Sequence, residues 1–375
     1  MSKRLNVLQL INVRWYNACA YYAVSLSLAL RRRGHKVIVA GDPLSPPLLK
    51  AREQGLSVYE DLSLSYTSPW MIAYNVKRMR DLIEKEEIDV INAHRGEGHL
   101  VAALAKKFLK RAVPLIRTRG DVRTPKGNFF NRYLNSALTA KVITTCEVLR
   151  ESYIKNLRMP DEKVTTVPVG IDHDFFSPRE SDTTWKERLS IPEGNLVVGI
   201  VGRLSPVKGH EYFVQAANYV LRQVPHTIFI ICGENAQISS EELRERAGEL
   251  NMGEKFRFVG KTRDVREIIS LFDIGVVSSV GSETICRVAL EYMSMGKPVV
   301  GTNVNAIPEV VQHQVNGLVV EPKKWQELAS ALVELLRDKD KRKKFGEKSR
   351  GIVMEKFTLD VFARETEQVY FSLLN

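Results

Sequence analysis

Residues 278–298, SSVGSETICRVALEYMSMGKP, hold two carboxylates, Glu283 and Glu291, eight positions apart. An apolar run over residues 272–278 leads in as a strand, and a helical run over 288–295 follows. Eight helical residues rise ~12 Å, which sets Glu291 two turns below Glu283 on the same side. The turn between strand and helix exposes backbone N–H groups at the positive end of a helix dipole, a setting that suits phosphate. A solvated helix face would carry the same pair of glutamates. About 80 residues upstream, LVVGIVGRLSPVKGH at 196–210 ends a strand in Gly202-Arg203-Leu204 and turns through Lys208-Gly209 into a helix. Arg203 and Lys208 project from that loop, one able to bind bidentately and the other a compact point charge, as a pyrophosphate requires. An ordinary turn with two solvated cations is the alternative. Two such segments in this order, each closing a predicted strand, favour a shared anion site.

The elements that must position these groups alternate along the chain. Apolar strands are expected at 5–11, 36–40, 90–93, 114–118, 141–145 and 163–168. A second set is expected at 196–201, 227–232, 256–259, 274–278, 298–301 and 317–320. Helical patterns lie between them, as at 22–32, 71–85, 99–109 and 210–223. This alternation predicts α/β architecture with two doubly wound parallel sheets and ligands at the C-terminal strand ends, in the crevice between the domains. The boundary falls near residues 175–185, giving domains 1–175 and 176–359.

Further motifs in order are GHKVIVA at 34–40, IDVINAH at 88–94, VITTCEVLR at 142–150, VPVGIDHDFF at 167–176 and FRFVGKTRDV at 256–265. IPEVV at 307–311 and NGLVV at 316–320 complete the set. With the two loops above, the chain resembles the retaining nucleotide-sugar glycosyltransferases of family 4 (glycosyl transferases group 1). The resemblance spans nearly the whole sequence and is specific for a family, not for a substrate. It implies the GT-B fold, two Rossmann-like domains facing each other across a cleft. The first would bind acceptor and the second the nucleotide-sugar donor, with the C-terminal helix, 360–375, packing back on the first.

Under that resemblance Arg203 and Lys208 hold the donor pyrophosphate and offset charge on the leaving diphosphate. Glu291 accepts from the ribose hydroxyls, and Glu283 sits near the donor sugar. The backbone amides of Thr284, Ile285 and Cys286 face sugar and diphosphate. The base lies near Gly233-Glu234 and Gly260-Lys261, and Gly202 opens the first loop. Catalytic candidates are Glu283, Arg203, Lys208 and His94. No metal and no cofactor is expected beyond a UDP- or GDP-linked sugar donor. Three departures stand out. Thr284-Ile285-Cys286 replaces a frequent Gly-Phe-Gly, Asn17-Ala18 stands where many members have Gly-Gly, and Arg119 replaces a frequent His. A guanidinium is no base near neutral pH. The role then passes to Asp121 or His94, or the leaving phosphate takes the acceptor proton. His94, at a strand end beside glycines, is either structural or part of the site. Arg14, Asn17, Arg95, Arg119 and Asp121 are the acceptor-side candidates. Arg117 and Arg119 share one strand face, with Thr118 on the other.

Composition sets the outer bounds. The 375 residues suit two ordinary domains, and net charge is +11. Residues 1–175 carry 28 Lys and Arg against 17 Asp and Glu, whereas residues 176–375 carry 27 of each, so the whole excess lies in the first half. That excess fits an anionic glycan or glycolipid acceptor or an anionic leaflet, or else diffuse solubilising charge. No nucleic-acid module is recognisable. Residues 100–111, LVAALAKKFLKR, read either as an interfacial helix or as a core-facing helix with a basic edge. Four cysteines, Cys19, Cys146, Cys232 and Cys286, form no C-x-x-C pair, and no apolar run approaches 18 residues. The expectation is a cytoplasmic protein, peripheral on the inner face of the membrane. It would transfer a sugar to a lipid-linked or lipopolysaccharide-type acceptor in cell-envelope glycan synthesis. The competing readings are a nucleotide-sugar epimerase or phosphorylase on the same fold, and a non-catalytic nucleotide-sugar-binding protein.

Overall fold

The computed structural model describes residues 4–66 and 68–374. Met1–Lys3 and Asn375, the last residue of the expected C-terminal helix, lie outside the described residues. The chain divides into two compact units, one running to Gly170 and resuming at Leu359, the other Ile171–Thr358.

The first unit is built on seven strands: β1 Asn6–Leu10, β2 Lys36–Ala40, β3 Ser57–Tyr59, β4 Val90–Ala93, β5 Leu115–Arg119, β6 Lys141–Thr144 and β7 Val164–Thr166. All neighbours run parallel in the order β3-β2-β1-β4-β5-β6-β7. Such strands are buried on both faces, which is why β2 reads as a nearly continuous apolar run and why even Gln9 of β1 and Asn92 of β4 are buried. One face packs Leu8, Leu10, Ile38 and Ile91 on Met79, Ile83 and Val101 of the helices Pro69–Lys85 and Gly96–Ala105. The other packs Ile11 and Val39 on Ala23, Val24 and Leu48 of the helices Ala18–Arg32 and Pro46–Glu53. β3 has no counterpart among the expected strands: it has three residues, lies at the edge and has no fully buried side chain. The helical run expected to continue to Arg111 ends at Ala105 and passes into a 3-10 turn, Lys106–Phe108. Val101, Ala102, Ala103 and Ala105 are buried, so the body of this helix belongs to the core and the interfacial reading of residues 100–111 is corrected.

The tail helix, Leu359–Phe371, closes this unit through a buried polar chain. Tyr370 Oη accepts from Asn92 Nδ2 at 3.0 Å and Gln9 Nε2 at 3.3 Å, joining the tail to β4 and β1. Glu367 binds Arg33 Nε at 2.6 Å and His35 Nε2 at 2.8 Å. Phe362 meets Tyr22 edge-on at 4.7 Å.

The second unit has six parallel strands: β8 Leu196–Val201, β9 Thr227–Cys232, β10 Phe256–Val259, β11 Ile274–Val277, β12 Val299–Thr302 and β13 Gly317–Val320. Their order is β10-β9-β8-β11-β12-β13. Phe213, Phe229 and Phe256 interlock at 5.2–6.3 Å in its core. Two strand glycines admit rings instead of side chains. A Cβ on Gly199 would lie 2.0 Å from the Phe272 ring, and one on Gly275 would lie 2.4 Å from the Tyr292 ring. Both sheets therefore reverse their strand order once, between β1 and β4 and between β8 and β11. An open α/β sheet receives ligands at the carboxyl ends flanking such a reversal.

Candidate functional site

In the second unit the reversal point is made of the loops after β8 and β11, and the chain ties them together. Val280 N donates to Val207 O at 2.9 Å, and Ser278 Oγ donates to the carbonyls of Lys208 and Gly209 at 3.1 Å each. Gly209 is required at this seam. Its φ is +68°, and a Cβ would stand 2.0 Å from Ser278 O. It also precedes the 14-residue helix His210–Gln223, whose N-terminal amides and dipole face the same loop.

Lys208 Nζ forms an ion pair with Glu283 Oε1, so the cation of one loop rests on the carboxylate of the other. Ser279 Oγ donates to the same carboxylate oxygen at 2.9 Å, and Glu283 is 7% exposed. The Glu283 carbonyl accepts from Ala306 N at 2.9 Å, which fixes the loop to the next connection as well. Arg203 is exposed and holds no ion pair among the described residues. This loop therefore presents one committed and one uncommitted cation.

Glu291 lies on the helix Arg287–Ser294, where Arg287 Nε reaches its Oε1 at 3.0 Å. Burial raises the Glu291 carboxyl above its ordinary range, and the Arg287 charge opposes that shift. The i,i+4 spacing of Arg287 and Glu291 was visible in the sequence as a helical pair. Tyr292, next in line, donates nothing to solvent: its buried hydroxyl accepts Val201 N at 2.7 Å and links the helix to the end of β8. Thr284, Ile285 and Cys286 are all buried, so their side chains turn inward and do not project from the turn. Cys286 has φ +51°, the left-handed conformation that glycine adopts at no steric cost.

A cavity of about 370 Å³ opens at the ends of β9 and β10. Gly233, Glu234, Gly260 and Lys261 line it, together with Asn235, Arg244 and Phe258. Gly202 lies at its edge: a Cβ on Gly233 would meet Gly202 O at 1.9 Å, so the two glycines let adjacent strand ends touch. Arg244 stacks on the Phe258 ring at 4.5 Å, and Lys261 pairs with Glu234 at 2.5 Å. Sequence reasoning missed Arg244 and Phe258, whose only signal was their place on the helix and strand flanking the glycine turns. The volume falls in the range of small-molecule sites.

The first unit gathers a different set. Asp121 accepts from Arg95 Nη1 at 3.2 Å and Arg123 Nη2 at 2.6 Å, and Arg119 Nη2 donates to Arg123 O. Burial pushes the Asp121 carboxyl up, but hydrogen bonds from Arg123 and the charges of Arg119 and Arg123 outweigh it and bring it down to about 2. Arg95 Nε and Arg119 Nε are buried without a hydrogen-bond partner. Three guanidinium groups around one carboxylate leave an excess of positive charge, as an anionic ligand would need. Arg14 is exposed on the loop after β1 and is not part of this cluster's bonding.

Two of the candidates take structural roles here. Asn17 caps the helix Ala18–Arg32, accepting Ala20 N at 3.1 Å, which accounts for its side chain structurally. His94 is 4% exposed, and its Nε2 lies 2.7 Å from Gln9 Oε1 within the Tyr370 network. Burial, aided by the nearby Arg117 charge, lowers its pKa to about 3, so it is neutral near pH 7 and a poor base. Arg117 is likewise internal, donating to Ala93 O at 2.9 Å, with Thr118 bonded to Asn92 on the opposite face. Among the described residues, no three His, Cys, Asp or Glu side chains gather as a metal site would require, and no helix is long and apolar enough to cross a membrane. All four cysteines are free.

Residues 181–351 match the family described as glycosyl transferases group 1, and residues 20–175 match glycosyltransferase family 4. N-acetyl-alpha-D-glucosaminyl L-malate synthase of Bacillus anthracis is 24% identical over 93% of this chain and 92% of its own. UDP-Gal:alpha-D-GlcNAc-diphosphoundecaprenol alpha-1,3-galactosyltransferase of Escherichia coli is 24% identical over 69% of each. Among solved structures, Anabaena HepE in complex with UDP and glucose aligns over 98% of this chain and 100% of its own, with a TM-score of 0.81 at 21% identity.

Proposed function

The chain belongs to the family 4 type of glycosyltransferases and has their two Rossmann-like domains, and from that premise we propose that it moves a sugar from a nucleoside diphosphate to an anionic, lipid-linked acceptor. The observation that carries the donor half is the seam at the β8/β11 reversal, where Lys208, Glu283 and the start of a 14-residue helix converge. Arg203 and Lys208 would bind the diphosphate, and the neighbouring cavity at Gly233 and Gly260 would take the base. Glu291, steadied by Arg287, would accept from the ribose hydroxyls.

In the reaction an acceptor hydroxyl attacks the anomeric carbon while the bond from that carbon to the phosphate oxygen breaks. Negative charge grows on the departing diphosphate, where Arg203, Lys208 and the helix dipole offset it. The acceptor proton passes to the leaving phosphate oxygen. That route, with retention of configuration, agrees with a first unit in which His94 is buried and neutral and Asp121 is committed to two arginines. The relatives favour UDP as the donor nucleotide: it is in one relative's name and in the other protein's complex. Malate and a diphosphate-linked lipid, the acceptors in the relatives' names, are both anionic, as the Arg95, Arg119 and Arg123 cluster would demand. A lipid-linked acceptor would bring the protein to the cytoplasmic membrane face in envelope glycan synthesis.

The test is acceptor-dependent release of nucleoside diphosphate. UDP- and GDP-sugars are offered with and without an envelope lipid extract. We expect release from one donor only when extract is present, and a loss of about a hundredfold or more in Arg95→Ala/Arg119→Ala with extract as acceptor. Release from no donor with any extract would contradict the proposal.

A further inference from the structure

Eleven aromatic side chains stand exposed among the described residues, and nine of them are in the first unit. Three of the nine occupy one short helix, Phe129–Ser136. Phe129 is 84% exposed, Phe130 54% and Tyr133 45%, while Leu134 beside them and Asn135 on the far side are buried. Val122, in the approach to the helix, is exposed as well. The rings of Phe129 and Tyr133 lie nearly parallel, 6.2 Å apart, and form one apolar ridge. A helix that buries one side and shows large rings on the other is an unpartnered amphipathic element.

The charge around the ridge is predominantly basic, although the neighbouring helix Glu147–Leu157 also exposes Glu147 and Glu151. Between Gly98 and Cys146 the sequence has ten Lys and Arg and one acid, Asp121, which is held by Arg95 and Arg123. Lys126 lies exposed in the turn before the helix. That turn rests on the end of the helix Glu147–Leu157: a Cβ on Gly127 would lie 2.6 Å from Asn156 O. Lys155 and Arg158, both exposed and both without an ion pair among the described residues, flank Asn156. At the other end Lys106 Nζ reaches Leu138 O at 3.5 Å, which brings in the turn bearing exposed Phe108.

We infer that the Phe129–Ser136 helix and its approach from Val122 form a docking face for an anionic phospholipid bilayer, with the rings entering the interface and the surrounding cations held at the headgroups. The occupant follows from charge and shape. A second copy of the chain would set one basic patch against another. Aromatic rings amid cations on an amphipathic helix instead match an interfacial anchor, which combines apolar insertion with attraction to anionic lipid. The inference rests on the lipid-linked acceptor proposed above for its biological sense, but its physical claim is independent of transfer. It also replaces the helix at residues 100–111, whose apolar body is internal.

The test is sedimentation of the full chain with vesicles of phosphatidylcholine alone or mixed with phosphatidylglycerol. Binding is expected to the mixed vesicles and not to the neutral ones, and to weaken as salt rises. Phe129→Ser/Phe130→Ser should reduce binding about tenfold or more. Lys126→Gln/Lys155→Gln should reduce it about threefold or more. The melting temperature and any nucleotide-induced stabilisation should stay unchanged in both variants. Failure of the wild type to bind mixed vesicles, equal binding by the Phe variant, a Phe-dependent dimer in place of lipid binding, or preference for single-stranded nucleic acid over vesicles would each overturn the inference. Vesicle binding without donor turnover would instead contradict the transfer reading alone.

Discussion

Glu283, on the loop after β11, pairs with Lys208, and under the proposed function it would stand in for a ligand phosphate. Under that proposal a diphosphate at Lys208 would compete with it for the ammonium donors, and a carboxylate released in this way would be available to the sugar. Glu283→Gln should therefore tighten nucleoside diphosphate binding severalfold while lowering transfer about a hundredfold, a split that calorimetry and turnover assays separate. Weaker binding in this variant would mean that Glu283 orders Lys208 rather than competing for it. Arg203, Lys208 and Glu283 were legible from sequence because they lie in the loops where apolar strands stop, and Glu291 because it follows Glu283 at helical spacing. The pairing of Lys208 with Glu283 was not, since it depends on two loops 75 positions apart meeting across neighbouring strands. His94 shows the limit from the other side. Its strand-end position and flanking glycines suggested chemistry, while the Gln9 and Tyr370 partners that absorb it lie 85 and 276 residues away in the sequence.

At the scale of elements, the strands buried on both faces were readable because they are rich in Val, Ile, Leu and Phe, and β2, β4, β8, β9, β10 and β13 were placed to the residue. β3 escaped because a three-residue edge strand carries almost no pattern. The end of the helix at Ala105 escaped because LAKKFLK continues an apolar period that a 3-10 turn then abandons. Gly209 marks where two elements are locked. Gly209→Ala should cost about 3 kcal/mol, since it combines left-handed strain with a clash against Ser278 O, and should abolish nucleotide binding. Equal melting temperatures for variant and wild type would show that the seam yields. The tail helix depends on Tyr370. Tyr370→Phe leaves Asn92 Nδ2 and Gln9 Nε2 buried without an acceptor and should cost about 1–3 kcal/mol in chemical denaturation.

For the whole molecule, acid stability follows from buried imidazoles. His94 is held at about 3 and His210 at about 4, both below the ordinary value of 6.5, chiefly by burial. The unfolded chain therefore binds more protons than the folded one between pH 6.5 and those values, and stability falls as pH falls through that window. Well inside it, each such histidine contributes a slope of about 1.4 kcal/mol per pH unit. Melting curves from pH 7 to 4 should show this decline, and His94→Gln should make it shallower; a melting temperature independent of pH would refute the assignment. The charge asymmetry was fully legible in composition, whereas the exposed ridge at Phe129 was not, because FFNRYL reads equally well as a core helix. The claim on which the rest depends is that the loops after β8 and β11 hold a nucleoside diphosphate. Calorimetric titration of the wild type, Arg203→Ala and Lys208→Ala with UDP and GDP tests it most directly. The account predicts binding of one of the two by the wild type, weakened about tenfold or more in each variant. Binding of neither nucleotide, or equal affinity in all three proteins, would contradict it.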